Sequence, residues 1–224
     1  MQFNVGQREI ILKLVYYGPP LSGKTTNLIE IHRLLGTDLA GHLTTLNTAD
    51  DRTLFFDLLP VVLRAETGYC IKLKLFTVPG QVIHAATRRV VLAGADGVAF
   101  IADSQLSEAK ANNEYWHGMR QYLADSGIDP DAIPRVVQFN KRDVAGIRSD
   151  AELEAVQRQG REPVFKAVAI RGEGVIETLH GLLVETFADL NRRYEFESKF
   201  NLSTQMLLST LFARQQLSPT AAVG

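Results

Sequence analysis

An apolar run, a glycine-framed loop and a helix-like segment follow one another without interruption near the start of the chain. No other stretch constrains the fold as strongly. Ile10 to Tyr17 is almost wholly apolar, the pattern of a short buried parallel strand. Gly18-Pro19-Pro20-Leu21-Ser22-Gly23-Lys24-Thr25 comes next, and Thr26 to Leu35 reads as a helix. The loop fits G-x-x-x-x-G-K-[ST], and its chemistry explains the spacing. Backbone N–H groups wrap a phosphate, while Gly18 and Gly23 permit close approach and unusual dihedrals. Lys24 neutralises β- and γ-phosphates, and the Thr25 hydroxyl coordinates Mg²⁺. The positive end of the following helix faces the anion. Pro20, Leu21, Ser22 and Thr26 complete the expected phosphate contacts.

Beyond this unit, strand and helix patterns alternate. Gly36 to Thr53 is polar, glycine-spotted and weakly periodic, and reads as a long loop of the kind that usually carries function. Phe55 to Leu63 and Tyr69 to Val78 read as strands around a turn near Glu66-Thr67-Gly68. In the second strand Ile71, Leu73 and Leu75 alternate with Lys72 and Lys74, which gives it one wet face. Helices are expected around Ile83–Ala93, Ser107–Ser126, Ala151–Arg158 and Val175–Tyr194. Strands are expected at Gly97–Ala102, Arg135–Phe139 and Val164–Ala169. Such alternation implies a three-layer α/β fold, a mainly parallel sheet with helices on both faces. A domain over residues 1–194 is followed by a helical extension over 195–216 and a disordered tail over 217–224. In the extension Phe196, Phe200, Leu207 and Leu211 fall near helical spacing, widened by Met206, Leu208 and Phe212. That stripe suits either docking on its own domain or a partner groove.

A phosphate loop does not say which base is bound. Asn140-Lys141-Arg142-Asp143 follows a buried strand and matches the N-K-x-D element of GTPases. A carboxylate at Asp143 can accept from both N1–H and the 2-amino group of guanine, a pair adenine does not offer. Asn140 can support the loop, and the Lys141 stem can cover the base face. Thr77-Val78-Pro79-Gly80-Gln81 stands where Ras-like proteins carry Asp-x-x-Gly-Gln. There the Gly80 N–H meets the γ-phosphate and Gln81 orients the attacking water. With Thr77 in place of the acid, one negative group near the metal is missing. Thr53, at the end of the long loop, is a second candidate Mg²⁺ ligand. Arg52 beside it is either an arginine finger in cis, or a solvated loop charge or the salt-bridge partner of Asp50 or Asp51. Ala169 and Ile170 occupy the place of a Ser-Ala-Lys triplet whose backbone N–H meets guanine O6.

Composition excludes several classes. The 224 residues are 46% hydrophobic and 22% charged with a net charge of −1, so bulk attraction to nucleic acid or an anionic membrane is not expected. A single cysteine, Cys70, rules out an intrachain disulfide, and it reads as a small buried strand residue. Met1 to Val5 lacks signal-peptide character, no apolar run reaches membrane-spanning length, and the C-terminal residues lack a prenylation cysteine. A soluble cytoplasmic protein is the expectation.

Val15-Tyr16-Tyr17-Gly18-Pro19, Asp51-Arg52-Thr53-Leu54-Phe55-Phe56-Asp57, Thr77-Val78-Pro79-Gly80-Gln81 and Asn140-Lys141-Arg142-Asp143 together resemble the MglA-type bacterial gliding and polarity GTPases. The resemblance runs from about Arg8 to Asn191. It implies a Ras-like G domain that binds GTP or GDP with Mg²⁺ and hydrolyses GTP slowly. Arg52 and Gln81 would both be catalytic, and Thr77 would be a trait of the branch. It also implies a roadblock-domain activating partner of the MglB type, and a nucleotide state that controls polarity by recruiting effectors to a cell pole. Pro20 departs from the glycine usual there and removes one N–H donor beside the γ-phosphate. A GTP-dependent assembly protein with negligible turnover is the alternative; an ATP-using kinase has only the phosphate loop in its favour.

Overall fold

The structure is a computed structural model that describes residues 1–4, 6–47, 55–65, 67–78 and 85–213. Its centre is an eight-stranded sheet in the order β3-β4-β5-β2-β6-β7-β8, with β1 paired to β2 off this path. The strands are β1 (Gln2–Asn4), β2 (Glu9–Tyr17), β3 (Thr44–Asn47), β4 (Phe55–Arg64), β5 (Cys70–Thr77), β6 (Gly97–Asp103), β7 (Arg135–Asn140) and β8 (Val164–Lys166). The helices are α1 (Lys24–Leu35), α2 (Ala85–Leu92), α3 (Ala109–Asp125), α4 (Asp150–Gln159), α5 (Val175–Tyr194), α6 (Phe196–Phe200) and α7 (Thr204–Leu211). The pairs β2–β5, β2–β6, β6–β7 and β7–β8 are parallel, whereas β1, β3 and β4 join antiparallel. The mainly parallel, doubly covered sheet expected from the alternation is therefore present.

Side-chain alternation along β2 feeds two cores. Leu12, Leu14 and Tyr16 enter one cluster with Leu28 and Ile31 of α1 and Leu179, Leu183 and Phe187 of α5. Val15 and Tyr17 enter the other with Leu92 of α2, Met119 and Leu123 of α3 and Leu153 of α4. Cys70 is buried on β5. Among the described residues no helix is long and apolar enough to cross a membrane.

Three expectations need revision. The segment over 36–53, read as loop throughout, contains β3, whose residues Thr44–Asn47 pair with β4. The strand expected over Val164–Ala169 stops at Lys166, and a 3₁₀ turn spans Ala169–Arg171. The C-terminal stripe forms two short helices instead of one. Asn201 adopts a left-handed φ of 50° between them, and the Ser203 hydroxyl then caps α7 by accepting from the Met206 N–H. The Glu197 carboxylate accepts from the Thr204 N–H at 2.9 Å, closing the corner.

Both tail helices pack on the domain. Phe196, Leu202, Leu207 and Leu211 belong to the same core as α1 and α5. The Phe196 ring lies 5.9 Å from Phe187 and 5.3 Å from Phe200. Phe200 in turn meets Phe3 of β1 at 4.8 Å and Tyr69 at 5.4 Å. Because Phe196 is fully buried, Phe196→Ala leaves a cavity, and we expect a loss of about 3–5 kcal/mol. Urea unfolding should show a lower midpoint with an unchanged slope.

Candidate functional site

The loops after β2, β6 and β7 leave the same end of the sheet, the carboxyl ends of parallel strands where α/β folds bind ligands. The Gly18–Gly23 loop is drawn tight there. A Cβ on Gly18 would fall on the Ile101 carbonyl, and one on Gly23, at φ 101°, on Asn140 Nδ2. Leu21 takes a left-handed φ of 59° and is 87% exposed, so it caps the loop's outside. Pro20 is exposed beside it. Helix α1 starts with no acidic residue in its first turn and no side-chain cap, which leaves its positive end free for an anion. The Ser22 Oγ is buried without a hydrogen-bond partner. Both features fit a phosphate-bearing ligand.

Lys24 is folded back into this loop, donating to the Gly18 and Pro19 carbonyls at 3.0 and 2.6 Å. Burial pushes its ammonium down to about 7, with Arg88 adding like charge and Asp57 opposing. The group is thus poised to gain most from an arriving anion.

A neighbouring strand places a carboxylate beside Thr77. Asp57 of β4 is 3% exposed. Its Oδ2 accepts from the Thr25 hydroxyl at 2.7 Å and the Thr77 hydroxyl at 2.8 Å, and its Oδ1 from Thr45 of β3 at 2.8 Å. The Asp57 N–H donates to Thr77 Oγ1 at 3.1 Å, locking the two strands. A buried carboxylate beside the Thr25 hydroxyl is a hard oxygen set that suits Mg²⁺. Sequence reasoning gave Asp57 no role. Its signals were an acid inside the apolar run Phe55 to Leu63 and the acid lacking at Thr77.

The Asn140 side chain joins the two halves of the site. Its Nδ2 donates to the Ser22 carbonyl at 2.8 Å, and its Oδ1 accepts from the Ala169 N–H at 2.9 Å. That N–H, assigned to guanine O6 by resemblance, is therefore given to Asn140 here. Lys141 has a left-handed φ of 62°, and its Nζ pairs at 2.6 Å with the buried Asp103 at the end of β6. Asp143 lies 3.8 Å from Arg171, and the neighbouring Ile170 is 75% exposed. Thr26 lies in the first turn of α1. Arg52, Thr53, Gly80 and Gln81 lie outside the described residues.

The state of Lys24 gives a measurable linkage. A polyphosphate favours the charged ammonium, so binding above about pH 7 must draw in a proton. Calorimetry of GDP binding at pH 8, in buffers of different ionisation heat, should show net proton uptake. The uptake should fall as the pH is lowered through about 7, below which Lys24 is already charged in the free protein. Equal heats across buffers at pH 8 would contradict this.

No family model matches the chain. It is 42% identical over 189 residues to the mutual gliding-motility protein MglA of Myxococcus xanthus (strain DK1622), covering 84% of this chain and 97% of that one. That identity spans nearly the whole of the relative, and the fold is that of a Ras-like P-loop G domain. The chain belongs to the MglA-type small GTPases.

Proposed function

We propose that the chain is a molecular switch that binds GTP and GDP with Mg²⁺ and hydrolyses GTP slowly. Its activator would be a roadblock-domain protein of the MglB type. The observation that carries this reading is the Asn140 carboxamide, which ties the phosphate loop to the base loop. Asp143 would accept from the guanine edge, with Lys141, Ala169 and Ile170 around the base. Gly18 to Thr26 would hold the phosphates, Lys24 neutralising their charge. Thr25 and Thr53 would ligate the metal, and Asp57 would reach it through water. Bound Mg²⁺ supplies positive charge to the β- and γ-phosphate oxygens. The Gly80 N–H would meet the γ-phosphate and Gln81 would orient water. Arg52 would cancel charge growing in the transition state.

The relative's name concerns gliding motility, and we extend that to control of motility or polarity, with recruitment to a cell pole from the cytoplasm. In this reading residues 1–194 form the GTP-binding domain, 195–216 a helical extension and 217–224 a tail. A second reading, a GTP-dependent assembly protein with negligible turnover, is favoured by Pro20, which has no N–H to offer a phosphate. Thr77 in place of an acid does not favour it, because Asp57 brings a carboxylate beside Thr77.

Single-turnover hydrolysis with and without a roadblock partner separates the two readings. We expect an intrinsic rate of about 10⁻⁴ s⁻¹, as for small GTPases without an activator, and clear acceleration by the partner. No acceleration would leave the assembly reading. Asp57→Asn should raise the Mg²⁺ concentration needed for half-maximal GTP retention by about 10–100-fold. Nucleotide retention in EDTA should change little, since the variant keeps the carboxylate's size and one oxygen to accept from the hydroxyls.

A further inference from the structure

Beneath the two ligand loops lies a polar bridge that no part of the proposed chemistry uses. Asn27 of α1, Gln138 of β7 and Thr178 of α5 are each fully buried. The two carboxamides face each other reciprocally. Asn27 Nδ2 donates to Gln138 Oε1 at 2.9 Å, and Gln138 Nε2 donates to Asn27 Oδ1 at 2.9 Å. Gln138 Nε2 also donates to Thr178 Oγ1 at 2.8 Å. At the outer ends the bridge grips backbone. Asn27 Nδ2 donates to the carbonyl of Gly23, the last residue of the phosphate loop, at 2.9 Å. Thr178 Oγ1 donates to the carbonyl of Gly174, which closes the turn that begins at Ala169, at 2.6 Å.

Every donor and acceptor in the amide pair is matched in one orientation, and turning either amide would oppose donor to donor. An apolar pair could fill the same space, since replacing both partners of a buried hydrogen bond is often nearly neutral for stability. What apolar side chains cannot do is fix the distance between the two glycine carbonyls. Gln138 also stands two residues before Asn140 on the same strand face, so the bridge lies directly behind the Asn140 link.

We propose that Asn27, Gln138 and Thr178 are positioning residues that set the separation between the phosphate loop and the base-reading loops. The bridge thereby lets one guanine nucleotide engage both halves at once. This inference rests on reading the site as a guanine-nucleotide site. A ligand spanning both halves gains from their preset distance, because less ordering is left to pay at binding. A ligand that meets only the phosphate loop does not gain.

The test compares GDP with pyrophosphate on the full chain, using Asn27→Leu, Gln138→Leu and the double variant. Each single variant strands a buried amide and should lower the melting temperature. The double variant should regain most of that stability, yet release GDP faster and bind it about 10-fold more weakly, as expected for loss of a coupling between two contact regions. Its pyrophosphate affinity should stay within about 3-fold of the parent. Recovery of both stability and GDP affinity would overturn the proposal, as would equal weakening of GDP and pyrophosphate. Should the double variant not fold, Thr178→Val, which keeps the size and removes the hydroxyl, decides the matter. Faster GDP release at unchanged pyrophosphate affinity supports the bridge, and unchanged release overturns it. A parent chain with no affinity for GDP would instead remove the guanine-nucleotide reading itself.

Discussion

A carboxamide can donate and accept at once, and the site depends on the one at Asn140. It holds the Ser22 carbonyl on one side and the Ala169 N–H on the other, at 2.8 and 2.9 Å. Two loops more than a hundred residues apart in sequence are joined by these contacts. Gly23 is required for the same reason, since its hydrogen leaves the space in which the Asn140 amide lies. Lys141 then leaves the strand in a left-handed conformation and anchors on Asp103. The guanine motif is thus held by its first residue toward the phosphate loop and by its second toward β6.

Beside Thr25 the carboxylate comes from β4, the antiparallel neighbour of β5, where Thr77 stands. The electrostatic requirement is unchanged, because a divalent ion beside phosphates still needs oxygen donors and negative charge. What changes is the mechanical connection. Asp57 is bonded to Thr45 of β3, Thr77 of β5 and Thr25 of α1, so three elements share one carboxylate. It is satisfied by hydroxyls, which can yield to other donors more readily than a buried ion pair can.

Where backbone chemistry dictates spacing, the sequence was legible. The Gly18–Thr25 loop and the Asn140–Asp143 motif need their residues at fixed intervals, and both lie where their patterns placed them. The parallel sheet followed from strand and helix alternation, and Cys70 is buried as its setting suggested. Short edge elements were not legible. Thr44–Asn47 carries two threonines and an asparagine in four residues, and it is a strand only because β4 offers an edge. Asp57, Gln138 and Asn27 escaped for another reason. Their roles depend on cross-strand register and on which helix covers which face, and neither is local to the sequence. The stripe after Tyr194 shows its apolar spacing plainly, but its break at Asn201 depends on a left-handed residue that the spacing does not reveal.

Cys70 has a use of its own. The chain's single thiol is 8% exposed at the start of β5, an inner strand of the sheet, shielded from bulky reagents while the protein is folded. A cysteine introduced at a surface position such as Val90 on α2, 54% exposed, would then carry a fluorophore or spin label selectively. Spectroscopy of this chain can therefore begin from the natural sequence, without first rebuilding its core.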